Sequence, residues 1–336
     1  MGSRCLCGVA AFLAVFEPVS AVAADVAAIK GTGATFPAPV YLEWAAAYGQ
    51  SGGAHVSYVP SGSGEGIRQI REHQVDFGAS DAPLTDAELR TSGLMQFPVV
   101  IGGVVPVINI TGIKPGQLKL SGAVLADIYL GKIRRWDDAA IAALNIGLSL
   151  PHTNITVVHR SDRSGSTLLW TDFLSRSSPS WHATVGASIL PQWPTGTDGV
   201  GNEGVAAYVQ RTRFALGYVE YVYGREHHLS DVALRNRDGR FVQAGWKAFQ
   251  AAAAAGSWNF TTSYQQMATD LPGSESWPIT GASFILIPTS PQYGVATRAV
   301  LRFFDWALRH GEPMARSLDY VAVPPDVLER LGPSAP

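Results

Sequence analysis

The sequence predicts an α/β fold, and three features carry that prediction. Apolar or alternating strand-like runs are interleaved with helical stretches along most of the chain. Three turns rich in Gly and Ser stand where a helix should begin, two of them directly after a strand. Two apolar runs far apart in sequence, 97–108 and 284–287, suit a chain that leaves one lobe and later returns to it. At 336 residues and 46% hydrophobic, the chain is long enough for about two domains.

In chain order, residues 56–59 alternate and read as a strand entering a Gly/Ser turn, followed by a short helix over 66–73 and a strand over 75–79. Thr85 and Glu88 form a capping-box pair that opens another helix. The run 97–108 is too long and too uniformly apolar for an exposed loop. It reads as a buried strand interrupted at Gly102-Gly103, where the chain crosses between lobes. Helices are expected over 124–130 and 136–144, a strand over 155–158, a helix over 168–174 and a strand over 215–221. Residues 251–255 favour a helix, and 277–287 make the return crossing. Val300, Leu301, Phe304, Ala307 and Leu308 share one helical face, with Gly311 as a stop.

The first segment reads as a cleaved signal peptide. Arg4 precedes a short apolar stretch from Cys5 to Phe16, and Ser20-Ala21-Val22-Ala23 supplies small residues for cleavage after Ala23. The apolar stretch is too short to serve as a membrane anchor, and no later segment is long enough to span a bilayer. The expected mature chain is exported and soluble, in a periplasm. Both cysteines fall inside the leader, so disulfides and cysteine-based metal or nucleophile chemistry are excluded from the mature chain. A net charge of -2 gives nucleic acid no electrostatic purchase. An anion bound by such a chain must be held by local dipoles.

The three turns supply such dipoles. They run Gly31 to Pro37, Ser61 to Gly66 and Arg160 to Thr167. A helix start exposes unpaired N–H groups and the positive end of the macrodipole, which suits an anion. Each turn also has an ordinary reading, because Gly, Ser and Thr are common in turns and caps. In the third, Arg160 ends an apolar strand two residues before Asp162; its fork of donors matches an oxyanion, and the Asp is placed to brace it. The alternative is a solvated surface pair. Asp81 follows the small-residue strand end Gly78-Ala79-Ser80. A carboxylate repels anions unless the anion brings a proton, as hydrogen phosphate does and sulfate at neutral pH does not. An Asx-turn or cap is the plainer reading of Asp81.

Catalytic patterns are missing. Gly131-Lys132 lacks the rest of a Walker A loop, no Gly-x-Ser-x-Gly elbow occurs, and the 8 histidines show no metal spacing. A phosphoester hydrolase using Ser63 or Ser164 would need a base, and His159, the one histidine near the third turn, is aimed away by strand alternation. No enzyme activity, cofactor or metal is expected.

The segments GTGATFPAPVY, VDFGASDAPL, FPVVIGGVVPVIN, RFALGYVEYVY and WPIT with FILI carry a family resemblance. From about Ala28 to about Val327 the chain is similar to the phosphate-binding proteins of the bacterial high-affinity phosphate ABC transporter. The resemblance implies a two-lobed, hinged periplasmic-binding-protein ("Venus flytrap") fold: residues 1–23 as leader, 24–106 with 280–336 as lobe I, and 107–279 as lobe II. It implies a phosphate site on Thr35, Phe36 through its N–H, Ser63, Asp81, Arg160, Ser164, Gly165 and Ser166, with Asp162 bracing the Arg. It also implies membrane permease subunits as partners. Three positions depart from the family pattern: Ser166 stands where Thr is common, Arg163 where Gly is common, and Glu65 where small residues are usual. Glu65 is expected to serve its own helix, where the dipole favours an acid in the first turn.

Overall fold

The computed structural model describes residue 2, residues 28–256 and 269–323, and residue 327. The expected leader with Cys5 and Cys7 lies outside the described residues, apart from Gly2. The chain opens with β1 (Ala28–Gly33), α1 (Ala38–Gln50), β2 (His55–Val59), α2 (Ser63–Arg71), β3 (Phe77–Ser80), α3 (Asp86–Ser92) and the long β4 (Leu94–Ile108). A second set follows: β5 (Lys119–Leu120), α4 (Gly122–Tyr129), α5 (Ala139–Ala142), β6 (Thr156–Arg160), α6 (Gly165–Ser177), α7 (Pro179–Thr184), β7 (Thr197–Gly199), α8 (Gly201–Arg211), β8 (Ala215–Glu220) and α9 (Tyr221–Glu226). The remainder is β9 (Ser230–Asp231), β10 (Ala233–Arg235), β11 (Phe241–Val242), α10 (Trp246–Ala255), β12 (Thr280–Pro288), α11 (Gly294–His310), α12 (Glu312–Ser317) and β13 (Val321–Ala322).

Two lobes share β4. In the first, β1 runs parallel to β2 and β3, and β12 runs antiparallel between β3 and β4. In the second, β8 pairs antiparallel with β4, and β6 lies parallel to both β8 and β7. β4 pairs with β12 from Leu94 to Gly103 and with β8 from Val104 to Ile108. The strand is therefore continuous through Gly102-Gly103, where an interruption was expected; what changes there is its partner. Every β4 residue but Met95 is buried, as a strand shared by two lobes must be. Each fully buried Val, Leu or Ile side chain contributes about 1.5–3 kcal/mol over exposure.

Local chemistry sets the element ends. Thr85 Oγ1 accepts from Glu88 N at 3.2 Å while Glu88 Oε2 accepts from Thr85 N at 2.8 Å, the reciprocal capping box the sequence predicts. α11 ends at Gly311 and buries Val300, Phe303, Phe304, Ala307 and Leu308; Leu301 is only half-buried. The helix expected over 136–144 shrinks to α5, because Asp138 Oδ1 caps it at Ala140 N and Trp136 is drawn aside to donate its Nε1 to Phe214 O at 3.0 Å. α2 and α6 begin three residues before their expected starts, so the Ser/Gly turns form the first helical turns themselves. β1 also runs straight into the first turn, so all three turns follow strands.

Candidate anion-binding site

The parallel strands β1, β3, β6 and β7 end toward one place between the lobes, where α/β sheets bind ligands. α1, α2, α6 and α8 start beside those ends. α1, α2 and α8 carry no side-chain cap on their first turns, whereas α6 is capped by Ser164 Oγ, which accepts from Thr167 N at 3.1 Å. The first three therefore offer N–H groups for other partners.

Arg160 ends β6 and is 1% exposed. Its backbone is clamped on both sides: Tyr218 Oη accepts from Arg160 N at 3.3 Å, and Trp193 Nε1 donates to Arg160 O at 3.2 Å. Tyr218 is stacked on Trp170 with ring centroids 4.7 Å apart, so the aromatic core beneath α6 fixes this strand end. The guanidinium donates from Nε to Asp162 Oδ1 at 2.6 Å and from Nη2 to Asp162 Oδ2, a bidentate pair. Burial would raise the Asp162 pKa, but Arg160 and the Gly201 N–H, which donates to Oδ1 at 3.1 Å, hold it low. With Nε and Nη2 engaged, Arg160 Nη1 is buried and has no partner among the described residues.

Asp81 lies just beyond β3 and is 2% exposed. Burial pushes its pKa from an ordinary 3.8 up to about 7, against the opposing pull of the Ser283 hydroxyl, the Arg160 charge and the Ser63 hydroxyl. Among the described residues Asp81 Oδ1 is buried with no hydrogen-bond partner, and so are Ser283 Oγ of β12 and Ser166 Oγ in the first turn of α6. Most buried polar atoms are paired, and an orphan costs about 1–3 kcal/mol. An unpartnered guanidinium N–H, a hydroxyl and a protonatable carboxyl oxygen, all from the same converging turns, form a set complementary to a protonated oxyanion.

The two lobes touch through these turns. Gly165 N donates to Ser63 Oγ at 3.1 Å, and Gly64 N donates to Arg163 O at 2.9 Å. Ser63 Oγ also accepts from Asp81 N at 3.2 Å. With two N–H groups on its oxygen, the Ser63 hydroxyl has its own hydrogen left to donate. Thr35 is placed in the same way: its Oγ1 accepts from Asn202 Nδ2 at 2.9 Å and from Asn202 N at 3.4 Å, while Tyr223 Oη donates to Thr35 O at 2.7 Å. Phe36 precedes α1 in the same turn, with its ring fully buried against Tyr320.

Of the nine residues singled out from the sequence, Thr35 and Phe36 lie before α1, Ser63 opens α2, Asp81 follows β3, and Arg160, Asp162, Ser164, Gly165 and Ser166 lie at the β6–α6 turn, where Asp162 pairs with the Arg160 guanidinium. Asn202 was missed. It opens α8 after Gly199-Val200-Gly201, a fourth Gly-rich strand-to-helix turn whose three-residue strand Thr-Asp-Gly carries no apolar signal. His159 is aimed away from the cluster, as strand alternation predicts: its ring stacks on Trp193 at 4.6 Å and its Nδ1 lies 3.3 Å from Asp198. Glu65 accepts from Arg68 and Gln69 on its own helix, which lowers its pKa to about 2. Arg163 is exposed, and its aliphatic stem covers Gly64 so closely that a Cβ there would collide with it. A groove of about 750 Å³ opens outside these turns, lined in part by Glu65, Arg68, Asp162 and Arg163.

Comparison with known proteins agrees with this architecture. Residues 18–310 match a family model described as a PBP superfamily domain. The chain is 46% identical over 322 residues to a phosphate-binding protein PstS of Pasteurella multocida, covering 96% of this chain and 94% of that one. It is also 46% identical to PstS of Haemophilus influenzae, covering 90% of this chain and 91% of that one. Among solved structures it resembles a putative phosphate ABC transporter substrate-binding protein of Clostridium perfringens with bound phosphate, at TM-score 0.64 and 18% identity, covering 88% of this chain and 99% of that one. A phosphate-binding protein of Stenotrophomonas maltophilia aligns at TM-score 0.67 and 19% identity, covering 91% and 93%. At this identity over nearly its whole length, the chain belongs to the PstS family of phosphate-binding proteins, within the PBP superfamily.

Proposed function

We propose that this protein binds inorganic phosphate between its lobes and delivers it to the permease of a phosphate ABC transporter. The observation that carries the proposal is the buried trio of Arg160 Nη1, Ser166 Oγ and Asp81 Oδ1, unpartnered among the described residues. In this reading the hydroxyls of Thr35, Ser63, Ser164 and Ser166, the N–H of Phe36, the N–H of Gly165 as it turns from Ser63 Oγ to the ligand, and the Arg160 guanidinium replace the water shell of the anion. Asp81 accepts the proton that hydrogen phosphate still carries. Hydrogen bonds to a charged ligand are worth about 1.5–3 kcal/mol each, so several of them reach micromolar affinity, about -8 kcal/mol. Sulfate brings no proton and leaves the Asp81 carboxylate unpaired and repelled.

The lobes divide, in this proposal, at residues 24–106 with 280–336 and at 107–279. The change of partner along β4 after Gly103 and the start of β12 at Thr280 support that division. Residues 1–23 serve as a leader cleaved near Ala23, and the mature protein works in the periplasm as a carrier without catalysis. Among the described residues no helix is long and apolar enough to cross a membrane. Equilibrium dialysis with labelled phosphate, run beside a chromogenic phosphoester assay, tests the carrier reading. Saturable binding without turnover is expected; steady turnover would instead establish a hydrolase.

A further inference from the structure

We propose that Asn202 is the positioning residue that turns Thr35 into an obligate donor toward the bound anion, locking the first lobe to the second. The proposal rests on the phosphate reading above. Asn202 is fully buried at the start of α8, in the second lobe, whereas Thr35 follows β1 in the first. Its side chain is oriented from behind: Glu220 N, which can only donate, meets Asn202 Oδ1 at 3.1 Å. The other end of the amide is therefore Nδ2, and it reaches Thr35 Oγ1 at 2.9 Å. Asn202 N adds a second donor on the same oxygen at 3.4 Å. Both acceptor positions of the Thr35 hydroxyl are then filled from one residue. Its remaining hydrogen has to be donated, and a hydroxyl that can only donate discriminates in favour of an anion. Without Asn202 the same hydroxyl is free to rotate and accept.

Glu220 closes β8 where that strand begins to pair with β4, at Val104. Asn202 thus ties the Thr35 hydroxyl to the strand that crosses between lobes, and its loss should show mainly in how fast ligand leaves. Asn202 itself is not assigned a contact with the anion.

The test measures phosphate association and release by stopped-flow on the full chain, for wild type, Asn202→Ala, Asn202→Asp, Thr35→Ala and both double variants. Asn202→Asp keeps an acceptor for Glu220 N but offers Thr35 a carboxylate, which draws its hydrogen away from the anion. Each Asn202 variant should release phosphate about tenfold faster, the scale of one lost hydrogen bond, with association within about twofold. In the Thr35→Ala background the Asn202 substitutions should add nothing, since their route of action is gone. Unchanged release, or an Asn202 effect that multiplies with Thr35→Ala, overturns the proposal. Thermal melts of the ligand-free variants establish folding, and if Asn202→Ala is unfolded the Asp variant carries the test. Wild type that binds phosphate while the variants behave like it refutes only the role of Asn202. Wild type that binds no phosphate refutes the phosphate reading and this proposal with it.

Discussion

Gly165 and Asp81 are packed against each other across the cleft: a Cβ added to Gly165 would lie 2.5 Å from Asp81 Cβ and 2.8 Å from its Cα. The first turn of α6 therefore rests directly on the residue assigned to receive the ligand proton, and only glycine permits that approach. Gly165→Ala should weaken phosphate binding by about 1–3 kcal/mol, the usual cost of overpacking a closed contact. Calorimetric Kd values, with circular dichroism to establish that the fold is retained, check this; unchanged affinity would mean that the two turns do not meet in the bound form.

Asp81 is the residue on which selection against sulfate should turn. Above about pH 7 its carboxyl is ionised and requires a proton from the ligand; below that it carries its own and can donate to sulfate. Discrimination against sulfate should therefore narrow as pH falls through about 7, and Asp81→Asn should show the narrowed preference at every pH. Competition titrations at several pH values decide this, and a variant that discriminates as sharply as wild type sinks the account.

Asp81 also links stability to pH. Its folded-state pKa of about 7 lies above the ordinary 3.8. The folded chain keeps a proton that the unfolded chain releases between those values, so the ligand-free protein loses stability as pH rises through that window. Asp231, raised to about 6 by burial, and Glu220, raised for the same reason, act in the same direction. Asp81→Asn removes one contribution, so its Tm should fall less steeply than that of wild type across the window. Parallel Tm profiles for the two proteins would contradict the assigned pKa.

Asp162 holds both nitrogens of one edge of Arg160 and also the N–H of Gly201 at the start of α8. Asp162→Ala should leave the Arg160 guanidinium free to swing and weaken phosphate binding by about 1.5–3 kcal/mol, the scale of a charge-assisted hydrogen bond. Asp162→Asn, which retains one acceptor, should fall between that variant and wild type in Kd.

Arg163 bridges the lobes through its carbonyl, which accepts from Gly64 N at 2.9 Å, while its guanidinium is left outside. Removing the side chain should therefore spare affinity: Arg163→Ala is expected to keep Kd within about twofold at physiological salt, where exposed charges contribute little. Its association rate should fall only at low ionic strength, where long-range attraction of an anion is unscreened. A large loss of affinity at physiological salt would place the guanidinium in the site.

The parts of the site legible in the sequence are those with a strong local signature. Arg160 ends an apolar strand, Asp81 follows small residues, and each of the three Gly/Ser turns stands before a helical pattern. Asn202 escaped because β7 is short and polar, so nothing in the run Thr197 to Gly199 announces a strand. Its role also depends on Glu220, brought back to it at the end of β8 in the same lobe, and on Thr35, which reaches it from the other lobe. The same cause shortened α5: Trp136 follows a helical pattern but is claimed by the carbonyl of Phe214. The continuity of β4 through Gly102-Gly103 was hidden because two glycines weaken a strand locally, while pairing with β12 and then β8 holds it.

The most direct measurement is calorimetry on phosphate-stripped protein, titrated with phosphate and then with sulfate above pH 7. One phosphate per chain should bind, at micromolar affinity or tighter, with sulfate producing no competing heat. Absence of phosphate binding, or sulfate binding of comparable strength, would contradict the phosphate reading.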